Sequence, residues 1–129
     1  MGLQRYDGHV PRTAGRILDI ASGTTVLGLS GGEPPGVRVN SLTATSTSVN
    51  PHDLNIHYLT ATLDLLIGTI SIPAGAGATS AVPPVDILAF LATIIPDVIL
   101  TLDDAIAVAL AVALGANEEI HVLALGCAF

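Results

Sequence analysis

Lysine and tryptophan do not occur in this chain, and charge is scarce. Asp, Glu and Arg make up 12% of its 129 residues, where a soluble domain carries about 25%. The four cations are all arginines (Arg5, Arg12, Arg16 and Arg38), set against 11 acids for a formal net charge of −7. They build no basic stripe that would release counterions from a phosphate backbone, so nucleic acid is not expected as a partner. The aromatic residues are Tyr6, Tyr58, Phe90 and Phe129, too few for a platform on which sugars stack. Cys127 is the one cysteine. It excludes an intrachain disulfide framework and reads as a small buried thiol. Long apolar runs are missing as well. Residues 85–102 are broken by Asp86, Pro96 and Asp97, and the apolar run 105–116 is 12 residues long, short of the roughly 20 that cross a bilayer. The first 20 residues hold polar groups throughout and no apolar core of a secretory signal. The expectation is a protein with no membrane partner and no export signal of its own.

What is present is apolar and small. Half of the residues are hydrophobic, and the mean hydropathy is +0.69. At 13.0 kDa the chain is one ordinary domain, large enough for a real core. So few charges cover its surface thinly. Either Thr, Ser, Ala and Gly make up that surface, or much of it is buried against other subunits, the expectation preferred here. Charge is also unevenly placed. Residues 1–38 carry all four arginines and three acids (Asp7, Asp19, Glu33), a net of +1, while residues 39–129 carry eight acids and no arginine, a net of −8. Residues 1–36 hold eight glycines, three prolines and no sustained period. They read as an extended N-terminal arm with one short strand near Thr24–Leu27, ending in the breaker Gly31-Gly32-Glu33-Pro34-Pro35-Gly36. Such an arm either lies on an acidic neighbour or simply precedes a body whose eight acids keep it soluble.

Residues 37–129 read as β. Val37 to Ala44 is a strand, extended by the Ser/Thr run to Val49, and Asn50-Pro51-His52-Asp53 is a turn. Leu54, Ile56 and Tyr58 alternate with Asn55, His57 and Leu59, the period of a half-buried strand. Leu63–Ile72 is apolar and β-branched. Residues 73–84 form a flexible loop of small residues. Residues 85–95 fit a helical stripe (Leu88, Leu91, Ala92, Ile95) as well as a strand between prolines, and stay open. Val98–Leu102 is a strand broken by Asp103-Asp104. In residues 105–114 alanine favours helix, yet Ile106, Val108, Leu110, Val112 and Leu114 are each two residues apart. A strand gathers all five on one face for sheet or subunit packing, so strand is predicted. Gly115–Glu118 reads as a hairpin turn and Ile120–Leu125 as the last strand. The expected class is all-β, a β-sandwich or jelly-roll-like domain over 37–129 behind the arm.

No catalytic constellation emerges. Gly28-Leu29-Ser30-Gly31-Gly32 matches G-x-S-x-G, but Glu-Pro-Pro-Gly follows where the helix of a nucleophile elbow must start. Gly75-Ala76-Gly77-Ala78-Thr79-Ser80 lacks the lysine and the helix of a phosphate loop. His52 and His57 are an odd number of residues apart on a strand and face opposite ways, so they do not join Asp53 as metal ligands; His9 and His121 stand elsewhere. Asp97, Asp103 and Asp104 bracket a strand and read as turn caps. The expectation is a protein that is not an enzyme and has no cofactor.

The C-terminal part resembles the small β-sandwich proteins that decorate, or cement, the capsids of tailed bacteriophages. The resemblance runs over about residues 37–129. It rests on the Ser/Thr-rich strand Ser41–Val49 and the polar alternation Asn55-Ile56-His57-Tyr58. It rests also on Ile72-Pro73-Ala74-Gly75, on Ile99-Leu100-Thr101-Leu102-Asp103-Asp104 before the alanine-alternating strand, and on the end Gly126-Cys127-Ala128-Phe129. It implies a jelly-roll-like sandwich, a homotrimer seated on the major capsid protein at the outer surface of the virion, assembled in the host cytoplasm, with no catalytic residues. The arm would reach across a subunit boundary with Arg5, Arg12 and Arg16 as anchors to acidic capsid groups. Removing residues 1–20 is then expected to weaken attachment and leave the sandwich folded. The alternative role is a carbohydrate-binding or adhesion module on a tail fibre or collar, which needs exposed aromatics.

Overall fold

Side chains in a strand alternate between two faces, so a chain with alternating apolar residues folds once those faces meet. The computed structural model describes residues 10–19, 25–26, 36–101 and 103–128. Among these residues nine strands and one short helix run in the order β1 (Val10–Leu18), β2 (Thr25–Val26), β3 (Val37–Ser46), β4 (His52–Leu59), β5 (Asp64–Ile72), β6 (Val85–Asp86), α1 (Ile87–Leu91), β7 (Ile99–Leu100), β8 (Ala105–Leu110) and β9 (Ile120–Ala128). All pairings are antiparallel. Sheet A has the order β1-β9-β3-β6, with β7 also on β3; sheet B has the order β2-β8-β4-β5. Inward residues of both sheets, among them Leu42, Val122, Leu54, Ile56 and Val108, share one core. The fold is an all-β, sandwich-like one, as the alternation predicts.

The chain moves between sheets at most of its connections. Among the described strands only β4 and β5 form a hairpin, closed by Thr60, whose N–H donates to Leu63 O at 2.9 Å while its hydroxyl accepts from Leu63 N at 3.0 Å. The turn predicted at 115–118 exists, with Asn117 at φ 65°, but it is no hairpin: β8 lies in sheet B and β9 in sheet A, and the turn joins the two layers.

The extended arm expected over residues 1–36 is corrected where it is described. Residues 10–18 are β1, paired with β9 along its whole length from Val10↔Ala128 to Leu18↔Ile120. Ala14 and Leu18 are buried in the core. The reason is register: both pair with inward residues of β9, so alternation survives across a glycine-rich segment whose apolar period is too sparse to read. Arg12 and Arg16 therefore stand on an edge strand of the sandwich. Arg5 and the G-x-S-x-G serine, Ser30, lie outside the described residues.

The alanine-alternating segment is a strand, but a shorter one than predicted. Ile106 and Val108 are buried, Leu110 is half-buried, and the strand stops there. β4, its partner, begins at His52, and the register runs out at Leu54↔Leu110; Ala111 N makes one more bond, to Asp53 O at 3.1 Å. The chain then bends toward sheet A. Val112 is left 73% exposed, while Leu114 returns to the core from the loop. The five residues do not form one packing face.

Two other segments are now resolved. Val85-Asp86 is a strand, and α1 begins at Ile87 with Asp86 as N-cap, its Oδ1 accepting from Ala89 N at 3.0 Å. Residues 73–84 are not a loose loop. Ser46 N donates to Ala76 O at 2.8 Å, Gly75 N to Ser48 O at 2.9 Å and Gly77 N to Val82 O at 2.7 Å, and Ala76 is fully buried. Gly77, at φ +70°, lies against Thr45: a Cβ there would meet Thr45 Cγ2 at 2.5 Å.

Candidate functional site

Two regions hold what chemistry this fold displays. The first is polar and sits where three connections meet. Ser46 ends β3, and the chain turns through residues 47–51 into β4. Ser48 N donates to Ser46 Oγ at 3.1 Å, and Ser48 Oγ accepts from Asn50 N at 3.0 Å. Ser48 is buried, at 2% exposure. Its hydroxyl donates to Glu118 Oε2 and lies 3.0 Å from His52 Nε2. Glu118 Oε1 accepts from Gly115 N at 2.6 Å and stands 3.6 Å from His52 Nε2. Alongside, Thr47 N donates to Glu119 O at 2.9 Å and Glu119 N to Thr47 Oγ1 at 3.0 Å. The Ser48 hydroxyl, then the Gly115 N–H, then the charge of His52 hold the Glu118 carboxyl below its usual range.

A serine, a histidine and an acid thus come together, though not in the order of acyl-transfer catalysis. There the histidine stands between the other two, taking the serine proton on one nitrogen and holding the acid on the other. Here Ser48 is the centre, its proton goes to the carboxylate, and serine and acid both face the same histidine nitrogen. What the group does is satisfy a buried hydroxyl and pin the β3–β4 turn to the β8–β9 connection. Nothing in the sequence pointed to it: Ser48 and Glu118 are 70 residues apart.

The histidines and acids weighed as ligands are dispersed. His52 belongs to this group, while His57 Nδ1 pairs with Asp64 Oδ1 at 2.7 Å. Asp97 pairs with Arg38 at 3.2 Å. Asp104 accepts from Tyr58 Oη at 2.9 Å and from Thr101 Oγ1 at 2.7 Å. Burial alone would raise the Asp104 carboxyl, but the bonds from Thr101 and Tyr58 outweigh it and bring it below its usual range. Burial, then that bond and the Asp104 charge, push Tyr58 up to about 12. Among the described residues no three His, Cys, Asp or Glu side chains gather as a metal site. Cys127 is half-buried and takes a 3.5 Å contact from Asn40 Nδ2.

The second region is the outer face of sheet A. Register sets its rows: Thr13–Leu125–Ser41, Gly15–Leu123–Thr43 and Ile17–His121–Thr45 across β1, β9 and β3. Leu123 and Leu125 stand as a ridge between low neighbours, 44% and 38% exposed, and Ile17 is 57% exposed. A shallow depression of about 510 Å³ opens beside Gly15, lined by Ile17, Thr43, Thr45 and Leu123. Arg16 borders it and donates from Nη1 to Gly15 O at 2.7 Å. This face has the makings of a contact surface. Among the described residues no helix is long and apolar enough to cross a membrane. No known family model matches the chain, and a search of curated proteins finds no relative.

Proposed function

We propose that the chain is a structural protein of a virion, a capsid decoration or cement protein that binds the major capsid protein on the outer head surface as a homo-oligomer, a trimer in the resembling family. The observation that carries the reading is the outer face of sheet A, a ridge of exposed leucines between Thr, Ser and Gly on a rigid sandwich. Such a face suits protein docking, where apolar side chains become dry at the centre of a contact. The sequence resemblance over residues 37–129 points the same way. The rival role as a sugar-binding module draws no support from the aromatics among the described residues: Tyr58 is turned to Asp104, and Phe90 packs over Gly68, while Tyr6 and Phe129 lie outside them.

Copy number in purified virus particles tests it, by quantitative mass spectrometry against the major capsid protein. Near-stoichiometric copies are expected. A handful of copies would move the chain to the tail, collar or a fibre, and absence from particles would overturn the reading.

A further inference from the structure

Residues 112–118 cross from sheet B to sheet A as a strap held at two points. One is apolar: Leu114 is 2% exposed, while residues 112, 113 and 115–117 stand in water. The other is polar. Among the described residues, every polar contact from the strap to the rest of the molecule is made by the Glu118 carboxylate; backbone bonds resume only beyond it, from Ala111 N to Asp53 O and between Glu119 and Thr47. The partners of that carboxylate are all donors. Oε2 accepts from the Ser48 hydroxyl, Oε1 accepts from Gly115 N–H at 2.6 Å, and the Asn50 side-chain amide adds another bond. His52 is a donor too. The single Ser48 proton goes to Glu118 and one Oγ lone pair takes the Asn50 N–H, so the other lone pair takes a hydrogen from His52 Nε2, 3.0 Å away. That same nitrogen stands 3.6 Å from Glu118 Oε1.

We propose that residues 112–118 form an acid-released strap: Glu118 clasps it shut while ionised, and a proton on that carboxylate frees it and draws Leu114 out of the core. The cause is a mismatch of donors. A proton on either oxygen points at a donor already there, a hydroxyl on one side and N–H groups on the other, and Ser48 Oγ has no lone pair left to receive it. The charge that strengthened those bonds is also gone. Charging His52 does not open the clasp. Its Nε2 already holds a hydrogen, so the second proton goes to Nδ1 and sets a positive charge beside the carboxylate, which tightens it. The other charged groups nearby are turned away. Asp53 has the opposite parity on β4, Glu119 pairs with His121 at 3.0 Å, and the β3–β4 turn and residues 73–77 carry no charge. Protons reach the junction from solvent, because His52 borders an open depression of about 400 Å³ lined by Pro51, Asp53, Ser71 and Val112. Folding lowers the Glu118 carboxyl from its ordinary 4.5, so release falls below pH 4.5. The device does not depend on the capsid role.

Methyl NMR of the full chain with a soluble nitroxide tests the strap, since the relaxation of each assigned leucine methyl reports its exposure. In the parent, Leu114 is expected to stay sheltered from about pH 7.5 to pH 5. Between about pH 4.5 and pH 2 its relaxation is expected to rise at least about fivefold, while Leu42 and Leu54, buried in the two sheets, stay sheltered. Glu118→Gln mimics the proton at any pH, because its NH2 faces the same donors. It is expected to expose Leu114 at pH 7 and leave Leu42 and Leu54 unchanged. Exposure of Leu114 already above pH 5, release only together with Leu42 and Leu54, or a Leu114 that stays sheltered throughout would overturn the proposal. So would a folded Glu118→Gln protein that keeps Leu114 sheltered at pH 7. If that variant loses its β circular dichroism, the parent's titration decides alone, with the same outcomes.

Discussion

At the scale of single residues, Ser48 is the most consequential polar group. It is nearly fully buried, and its one oxygen serves Glu118, His52 and the Asn50 N–H. Ser48→Ala removes a hydroxyl and leaves sheltered partners unmatched, an asymmetry that costs about 1–3 kcal/mol. Urea unfolding at pH 7 checks it. The same variant changes the acid limb of stability. Glu118 and Asp104 both have carboxyls lowered by folding, from 4.5 and 3.8. A lowered folded value means that the unfolded chain binds the proton first, so the stability they add is complete above the unfolded values and drains away as pH falls through the folded ones. The Ser48 hydroxyl is the largest cause of the Glu118 shift. Ser48→Ala is therefore expected to shrink the loss of melting temperature between pH 5 and pH 2, with the Asp104 part remaining. An acid limb identical to the parent's would show that Ser48 does not hold the carboxylate.

At the scale of elements, α1 is seated by a missing side chain. Gly68 pairs with the inward Ile56, so its face points into the sandwich, and the Phe90 ring occupies that space: a Cβ on Gly68 would meet Phe90 Cζ at 2.5 Å. Gly68→Ala is expected to destabilise by about 1–3 kcal/mol through overpacking. In a Phe90→Ala background that cost is expected to vanish, because the two changes share one space; a double-mutant cycle by urea denaturation reads the coupling. Additive costs would mean that the ring does not hold that position. This contact also marks where sequence reading stops. Period 2 identified β4 and β9, because Leu54, Ile56, Val122 and Ala124 report a buried face directly. The same rule located Ile106 and Val108. It failed at Val112, where no property of the residue announces that the partner strand has ended. The helix at 87–91 was half legible: Asp86 is a good cap and the prolines forbid an earlier start, but five residues are too few for a period to declare itself. The polar group around Ser48 was not legible at all, since it is assembled by connections that cross between sheets, and local sequence carries no signal of which turns meet.

At the scale of the whole molecule, the N-terminal segment changes meaning. Read from composition it is an arm that could be removed without harm. In the fold, β1 closes one edge of sheet A, covers β9 and adds Leu18 and Ala14 to the core. Removing residues 1–20 takes away a nine-residue ladder and a fully buried leucine. Loss of the leucine contacts alone costs about 2–5 kcal/mol, a large part of the 5–15 kcal/mol that holds a domain together. The freed edge of β9, with its exposed Leu123 and Leu125, becomes an open template for pairing with other chains. The truncated protein is expected to melt at least about 10 °C lower or to aggregate, whereas a version beginning at Val10 keeps the β1 strand and is expected to melt close to the parent. Thermal unfolding followed by circular dichroism separates the two. Equal melting of both truncations would mean that β1 adds nothing to the sandwich and would return residues 10–18 to the role of a free arm. Reduced stability of the shorter one alone means that attachment by residues 1–9 has to be tested on a chain that still begins with β1, because a capsid-binding defect in the 1–20 deletion would report a damaged sheet rather than a lost anchor.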